Sequence, residues 1–248
     1  MSDNIKVVSF NIEYCASITK GYWQYITSWW KYFIPHNINA IWKIAELINK
    51  ENIDIAAFME IDGGSYRTRY RNYLLSLSQL TKLKNNVFFP VHHMGKLYNQ
   101  GNGILTKYEV LESKNIKLET RGENRYLSAS KLKVDGQVIN IFTTQLALGH
   151  VSRVKELQHI SWIINETEGP VIFTGDLNTH NENELDILKN TRLKRIETPQ
   201  TFPSWAPVRR LDYIFYSPDF ELTNSYVLKD MKVSDHLPIV AELKLKNK

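Results

Sequence analysis

The sequence has one cysteine, Cys15, among 248 residues. A single thiol excludes an internal disulfide and a cysteine-built zinc site. It fits a reducing compartment, so a cytoplasmic protein is expected. No Pro/Gly/Ser-rich linker, low-complexity tract or internal repeat interrupts the chain, and one domain spanning 1–248 is expected. No window approaches ~18 uninterrupted apolar residues, which argues against a membrane-spanning helix. The first residues, Met1-Ser2-Asp3-Asn4, run straight into a strand-like stretch rather than a basic-then-apolar signal segment. Neither sign of charge dominates. A net charge of +5 suits a polyanionic or phosphorylated partner but does not require one. What the chain has in quantity is apolar side chains, 43% of the total, enough for a large core.

The order of elements follows from periodicity. Residues 5–12 are β-branched and aromatic and read as a strand ending near Asn11. Residues 38–50 carry Ile41, Ile44, Ala45 and Ile48 at helical spacing, with Asn37 or Asn39 as the cap. Residues 53–59 are nearly all apolar, the pattern of a strand covered on both faces, and they deliver Glu60 at their end. Gly63-Gly64 breaks the chain, and a helix is expected from Ser65 to about Leu80, with Arg67, Arg69 and Arg71 near its start. Strands are expected at 86–92, 103–107, 109–117, 125–134 and 137–146, with Asp135-Gly136 a two-residue hairpin turn. A helix follows over 151–166, with Val151, Val154, Leu157 and Ile160 on one face. Strand 170–175 ends at Asp176. After a short helix over 182–190, the prolines at 199, 203 and 207 make 198–209 an irregular but ordered loop. Strands at 211–217 and 237–245 close the chain.

Polar residues recur where these hydrophobic runs end. Ser9-Phe10-Asn11, Met59-Glu60, Gly101-Asn102-Gly103, Gly175-Asp176-Leu177-Asn178, Arg210-Leu211-Asp212-Tyr213 and Ser234-Asp235-His236 each place an Asn, Asp, Glu or His at a strand end. One such place is a turn. The whole series would gather along one rim of a sheet. A carboxylate delivered there by a buried strand needs a partner. A His beside it can serve as a general base near neutral pH.

Taken in order from Asn11 to His236, these residues resemble the endonuclease/exonuclease/phosphatase superfamily. This is the fold of DNase I-like nucleases, exonuclease III-like AP endonucleases, inositol phosphatases and neutral sphingomyelinases. The resemblance implies a four-layer α/β/β/α sandwich. It also implies a divalent metal, magnesium first and manganese second, and hydrolysis of a phosphate ester by in-line attack of water. Position by position, Asn11 and Glu60 match the metal-binding Asn and Glu, with Glu60 the direct ligand. Asp176 matches the Asp that orients or deprotonates the water, and Asn178 the Asn that contacts the scissile phosphate. Asp212 matches the partner of the catalytic His, His236 that His, and Asp235 the neighbouring Asp near the metal. Asn102 matches a structural or phosphate-side position.

The sequence departs from the family pattern at Gln145, within Thr143-Thr144-Gln145-Leu146, where many members carry a His facing the phosphate. Gln145 can donate to a phosphate oxygen but cannot act as an acid. AP endonucleases lack that His too, so the change does not imply an inactive chain. His150 is placed at a helix start, His92 and His93 at a strand end near the surface, and His180 at a helix entry. Arg209 or Arg210 is a candidate phosphate contact.

The segment 21–35, Gly-Tyr-Trp-Gln-Tyr-Ile-Thr-Ser-Trp-Trp-Lys-Tyr-Phe-Ile-Pro, is an aromatic insertion whose pattern resembles a little-characterised bacterial branch of the superfamily. It reads as a satellite cluster packed on the body, a wall for stacked bases, or a membrane-interface anchor through Trp29 and Trp30. The expectation is a monomeric phosphodiesterase acting on nucleic acid. The alternatives are an inositol-phosphate phosphatase or sphingomyelinase-like phospholipase and, in another class, a catalytically silent binding module.

Overall fold

The computed structural model describes residues 4–35, 39–120, 122 and 124–246. One sheet contains β1 (Asn4–Asn11), β2 (Ile55–Asp62), β3 (Asn85–Met94), β4 (Tyr98–Thr106), β11 (Phe220–Val227) and β12 (Ile239–Leu245), in the order β11-β12-β1-β2-β4-β3. The other contains β5 (Glu109–Lys117), β6 (Tyr126–Val134), β7 (Gln137–Gln145), β8 (Val171–Asp176), β9 (Lys194–Arg195) and β10 (Asp212–Tyr216), in the order β5-β6-β7-β8-β10-β9. Each sheet has a parallel pair at its centre, β1 with β2 and β7 with β8. A parallel pair needs a crossover connection. Here the crossovers include α2 (Asn39–Lys50) and α4 (His150–Asn165).

The sheets pack face to face, with helices on the outer faces. Val7, Ile55, Ile104, Ile141, Ile172 and Ile239 share the core between the sheets. Ile41, Ile44 and Ile48 of α2, with Leu74 and Leu77 of α3 (Tyr73–Leu80), cover Val8, Phe10 and Phe58 on the outer side of the first sheet. Leu157, Ile160 and Ile164 of α4 cover Phe142, Val171 and Phe173 on the second. This is the expected α/β/β/α sandwich. Strands such as β2 are apolar throughout because Ile55 faces one core and Ala56 and Phe58 the other. Burying each such aliphatic or aromatic side chain stabilises by roughly 1.5–3 kcal/mol.

The structure departs from the sequence reading in several elements. The expected helix over 65–80 is split. Ser65 opens a single 3-10 turn at Tyr66–Thr68, and Arg69 and Tyr70 take left-handed φ of 53° and 62°. The helix proper starts only after Asn72, whose side chain accepts from the Leu75 amide. Val151 is 57% exposed, so the apolar part of the buried face of α4 begins at Leu157, and Ser152, Arg153 and Glu156 are the buried residues before it. Strand β4 begins five residues before the expected 103, at Tyr98, so Asn102 lies inside a strand. Strand β11 is absent from the reading. Its Glu221 and Asn224 are exposed on a bulged edge strand, and that composition resembles a loop. The Asp135-Gly136 hairpin is present, with both residues at positive φ. Asn37, one expected cap of α2, lies outside the described residues, and Asn39 is the first helical residue. Among the described residues no helix is long and apolar enough to cross a membrane.

Candidate active site

The four central strands end at the same rim, and each brings one polar residue to it. Asn11 closes β1 and Gln145 closes β7. Asp176 closes β8, where Gly175 makes the approach possible: a Cβ there would sit 2.1 Å from the Thr144 carbonyl oxygen of the neighbouring strand. Glu60 is placed by a bulge. Phe58 pairs with Gly103 and Ile61 with Gly101, so two residues of β2 face Asn102 alone, and Glu60 adopts a φ of 54°. A non-glycine residue held there is strained, a cost that surrounding structure must sustain.

The two amides bind the same two carboxylates. Asn11 Nδ2 donates to Glu60 Oε1 at 3.3 Å and to Asp176 Oδ2 at 3.0 Å. Gln145 Nε2 donates to Glu60 Oε1 at 2.5 Å and lies 3.5 Å from Asp176 Oδ2. Asn11 Oδ1 accepts from the Glu13 amide, and Gln145 Oε1 accepts from Arg125 Nη1 at 3.3 Å. Gln145 therefore acts as a connector from Arg125 to Glu60.

Asp212, the first residue of β10, is paired in register with Asp176 on β8. Its Oδ2 accepts from His236 Nδ1 at 2.8 Å and from Thr201 Oγ1 at 2.6 Å. An ionised carboxylate only accepts, so Asp212 keeps the imidazole proton on Nδ1 and leaves Nε2 facing the cleft. His236 Nε2 is 3.8 Å from Asp176 Oδ2. Burial alone would lower the His236 pKa, but Asp212, Asp176 and Asp235 together hold it well above the ordinary value. Burial pushes the Asp176 carboxyl up to about 7. The His236 charge opposes that rise, and the Asp212 and Glu60 charges add to it. Asp212 Oδ1 is buried without a hydrogen-bond partner among the described residues.

Asp235 sits at the side of this group. Its Oδ1 accepts from Ser234 Oγ, and its Oδ2 accepts from Tyr25 Oη at 2.5 Å. Asn178, at a left-handed φ of 49°, donates its backbone amide to Asp176 Oδ1 and its Nδ2 to the Leu146 carbonyl. Of these groups Glu60, Arg125, Gln145, Asp176, Asn178, Asp235 and His236 wall a cleft of about 860 Å³. Asn102 does not wall it. Its Nδ2 donates to Ser128 Oγ, tying the first sheet to the second behind Glu60.

Several functional candidates were not singled out from sequence. Arg125 carries no motif, although its position just before β6 places it at the rim. Thr201 lies in the proline loop, and only its contact with Asp212 distinguishes it. Glu13, two residues beyond Asn11, is 3% exposed and accepts from Tyr32 Oη and the Ile18 amide. Its carboxyl is pushed well up, first by burial and then by the Asp235 charge. Tyr14 walls the cleft, with the Arg67 guanidinium 4.0 Å from its ring centroid and 4.8 Å from that of Tyr98. Of the other histidines, His92, His93 and His180 line the cleft, so His180 faces it rather than forming the helix entry; Asn181 caps the following turn. His150 instead meets Glu184. Arg209 lines the cleft, whereas Arg210 is engaged with Glu197 and Glu182.

The donors suit a hard divalent cation. Carboxylates of Glu60, Asp176, Asp212 and Asp235 converge with few positive charges among them, and one buried carboxylate oxygen lacks a partner. Asp176, Asp212 and His236 each offer a ligand atom within 4.8 Å of one another.

The model of the Endonuclease/Exonuclease/phosphatase family matches residues 8–236. An endonuclease/exonuclease/phosphatase family protein from Bacteroides thetaiotaomicron superposes with a TM-score of 0.76 at 16% identity, covering 100% of both chains. A mannosyl-6-phosphatase from the same organism superposes with a TM-score of 0.72 at 16% identity, covering 96% of this chain and 99% of that one. At such identities the likeness is one of fold. A UPF0294 protein from Photorhabdus laumondii is 31% identical over 107 residues, which span 42% of this chain and 40% of that relative.

Proposed function

The chain belongs to the Endonuclease/Exonuclease/phosphatase family, and from that premise we propose that it hydrolyses a phosphate ester by attack of a water that Asp176 deprotonates. The observation that carries this reading is the set of Asp176, Asp212, His236 and Glu60 on one rim, tied together by Asn11 and Gln145. A divalent cation, magnesium first and manganese second, would be held by Glu60 and Asp235 and would supply positive charge to the phosphate oxygens. Asn11 orients Glu60 for that role.

The residues divide the proton work by charge. Asp176, with a raised affinity for protons and its Oδ1 fixed by the Asn178 amide, accepts the proton of water. His236 is held protonated by Asp212 and directs Nε2 at the developing negative charge on a phosphoryl oxygen or the leaving oxygen. This assigns the base to Asp176 rather than to His236. Asn178 uses one amide hydrogen on Leu146 and has a second for a phosphate oxygen. Most of the rate would come from positioning and preset charge. A silent binding module would have no need to keep Glu60 and Asn178 in left-handed conformations around these carboxylates.

The first substrate reading is a nucleic-acid phosphodiester. It is supported by a cleft lined by Arg125, His92, His93, His180 and Arg209. The second is a phosphate ester at a lipid surface, such as an inositol phosphate or a sphingomyelin-like lipid, favoured by the exposed Trp29 and Trp30 of the segment whose Tyr25 donates to Asp235. The test is hydrolysis of plasmid DNA, an abasic-site duplex, bis-p-nitrophenyl phosphate and short-chain sphingomyelin, each with Mg²⁺ and with EDTA, beside His236→Ala. Metal- and His236-dependent turnover is expected. Absence of metal-dependent turnover on every substrate would overturn the reading.

A further inference from the structure

The chemistry of the cleft makes no use of the outer face of segment 21–35. This segment folds as α1 (Trp23–Thr27) followed by a 3-10 turn at Trp29–Tyr32. Its inward side is polar and engaged. Gln24 Oε1 accepts from the Thr19 and Lys20 amides, Tyr25 donates to Asp235, and Tyr32 donates to Glu13. Tyr22 meets Trp205 of the proline loop edge-on. The outward side is the reverse. Ile26 is 77% exposed, Phe33 62%, Trp29 59%, Trp23 57% and Ile34 46%. Single exposed hydrophobic residues are ordinary, but a concentration of this size on one segment marks a contact surface.

The charges near this face narrow the choice of partner. No Asp or Glu occurs between Glu13 and Glu46, and the charged residues of that interval are Lys20, Lys31 and Lys43. Lys20 and Lys43 are exposed. A stretch of chain with large exposed apolar side chains and lysines but no Asp or Glu of its own is complementary to an anionic bilayer. There Trp and Tyr settle at headgroup depth, and each lysine gains from the surface potential. The two isoleucines distinguish lipid from nucleic acid. An aliphatic side chain cannot stack on a base and gains only by entering an apolar medium. A second copy of the chain would bring lysines against lysines.

We propose that segment 21–35 docks the protein on an anionic lipid surface and seats the cleft there. Tyr25 and Tyr32 are the ties between the docked segment and the catalytic rim. Docking itself does not depend on the phosphoester reading.

The test is co-sedimentation of the full chain with phosphatidylcholine vesicles and with equimolar phosphatidylcholine/phosphatidylglycerol vesicles. The wild type is compared with Ile26→Glu/Trp29→Glu, and hydrolysis of bis-p-nitrophenyl phosphate and circular dichroism are followed in parallel. Binding to anionic vesicles is expected, weaker binding to neutral ones, and a loss of ~10-fold or more in the double variant. The soluble ester should be hydrolysed equally by both proteins. Wild type that remains in the supernatant with anionic vesicles would overturn the proposal. So would a double variant that binds them as tightly, or a wild-type dimer that the double substitution dissociates. Failure of ester hydrolysis in the wild type would instead count against the phosphoesterase reading and leave the vesicle result standing.

Discussion

His236 Nε2 lies 3.8 Å from Asp176 Oδ2, while Nδ1 of the same ring is bound by Asp212. The imidazole therefore sits between two carboxylates, and its charge serves both. Replacing it with His236→Ala removes a cation from a group of acids as well as a proton donor. Hydrolysis of bis-p-nitrophenyl phosphate should fall by ~10²–10⁴-fold, with an unchanged circular dichroism spectrum. Retained turnover would show that the phosphate is stabilised by another group.

Glu60 is held by two amides at a bulge, an arrangement suited to presenting a carboxylate to a cation. Glu60→Gln should raise the Mg²⁺ concentration needed for half-maximal activity by ~10-fold or more. The rise in Tm that Mg²⁺ gives the wild type should shrink in parallel. An unchanged requirement would locate the metal at Asp176, Asp212 and His236 instead.

Asp176 gives a pH dependence whose sign is fixed by burial. Its folded-state pKa is raised to about 7, so the stability associated with this group is fully present below the ordinary carboxylate pKa of about 3.9 and is lost as pH rises through about 7. The His236 contribution has the same sign. Its raised pKa is stabilising below the unfolded value of about 6.5 and fades as pH rises through the folded one. Metal-free protein should lose Tm as pH rises from about 4 to about 7 on account of Asp176, and further as pH rises above about 6.5 on account of His236. Asp176→Asn should abolish hydrolysis yet raise the metal-free Tm at pH 8, by about 2–4 °C for each kcal/mol of relieved charge burial. A lower Tm for the variant at pH 8 would contradict a destabilising carboxylate.

The pair Arg67–Asp62 is buried at 2.6 Å, with side chains 1% and 0% exposed. Its guanidinium also lies over Tyr14, which walls the cleft. Arg67→Met should cost about 3–5 kcal/mol in chemical denaturation, because Asp62 would remain buried without its cation. A smaller cost would mean that Ser65, Thr68 and the Gly64 amide suffice to hold Asp62.

The strands that deliver Asn11, Glu60, Asp176 and Asp212 were legible because a polar residue after a two-faced apolar run is costly unless it has a partner, and composition records that cost. The split of the 65–80 helix was not legible. Arg69 and Tyr70 take left-handed φ without a glycine to announce it, and Arg67 turns inward to an acid five residues earlier in the chain. Edge strand β11 escaped because its outer face is solvated and polar. Arg125, Thr201 and Tyr25 reach the site through tertiary contacts alone, so nothing local marks them.

The pairing sense of the two sheets has a consequence for Gln145. Across each sheet the strand pairs run antiparallel, antiparallel, parallel, antiparallel, antiparallel, so the two sheets share one pairing pattern. In that shared order the central parallel pair β1–β2 corresponds to β7–β8. An amide followed by a carboxylate, Asn11 and Glu60, is thus repeated as Gln145 and Asp176. Each amide reaches across to the carboxylate of the other sheet as well as to its own. With Gln145 in place, the centre is chemically more nearly twofold than a histidine there would make it. Its polarity comes from His236 and from Asp212, whose place beside Asp176 is taken beside Glu60 by the amide Asn102. The asymmetry that a directional proton transfer requires is thereby concentrated in one pair of residues.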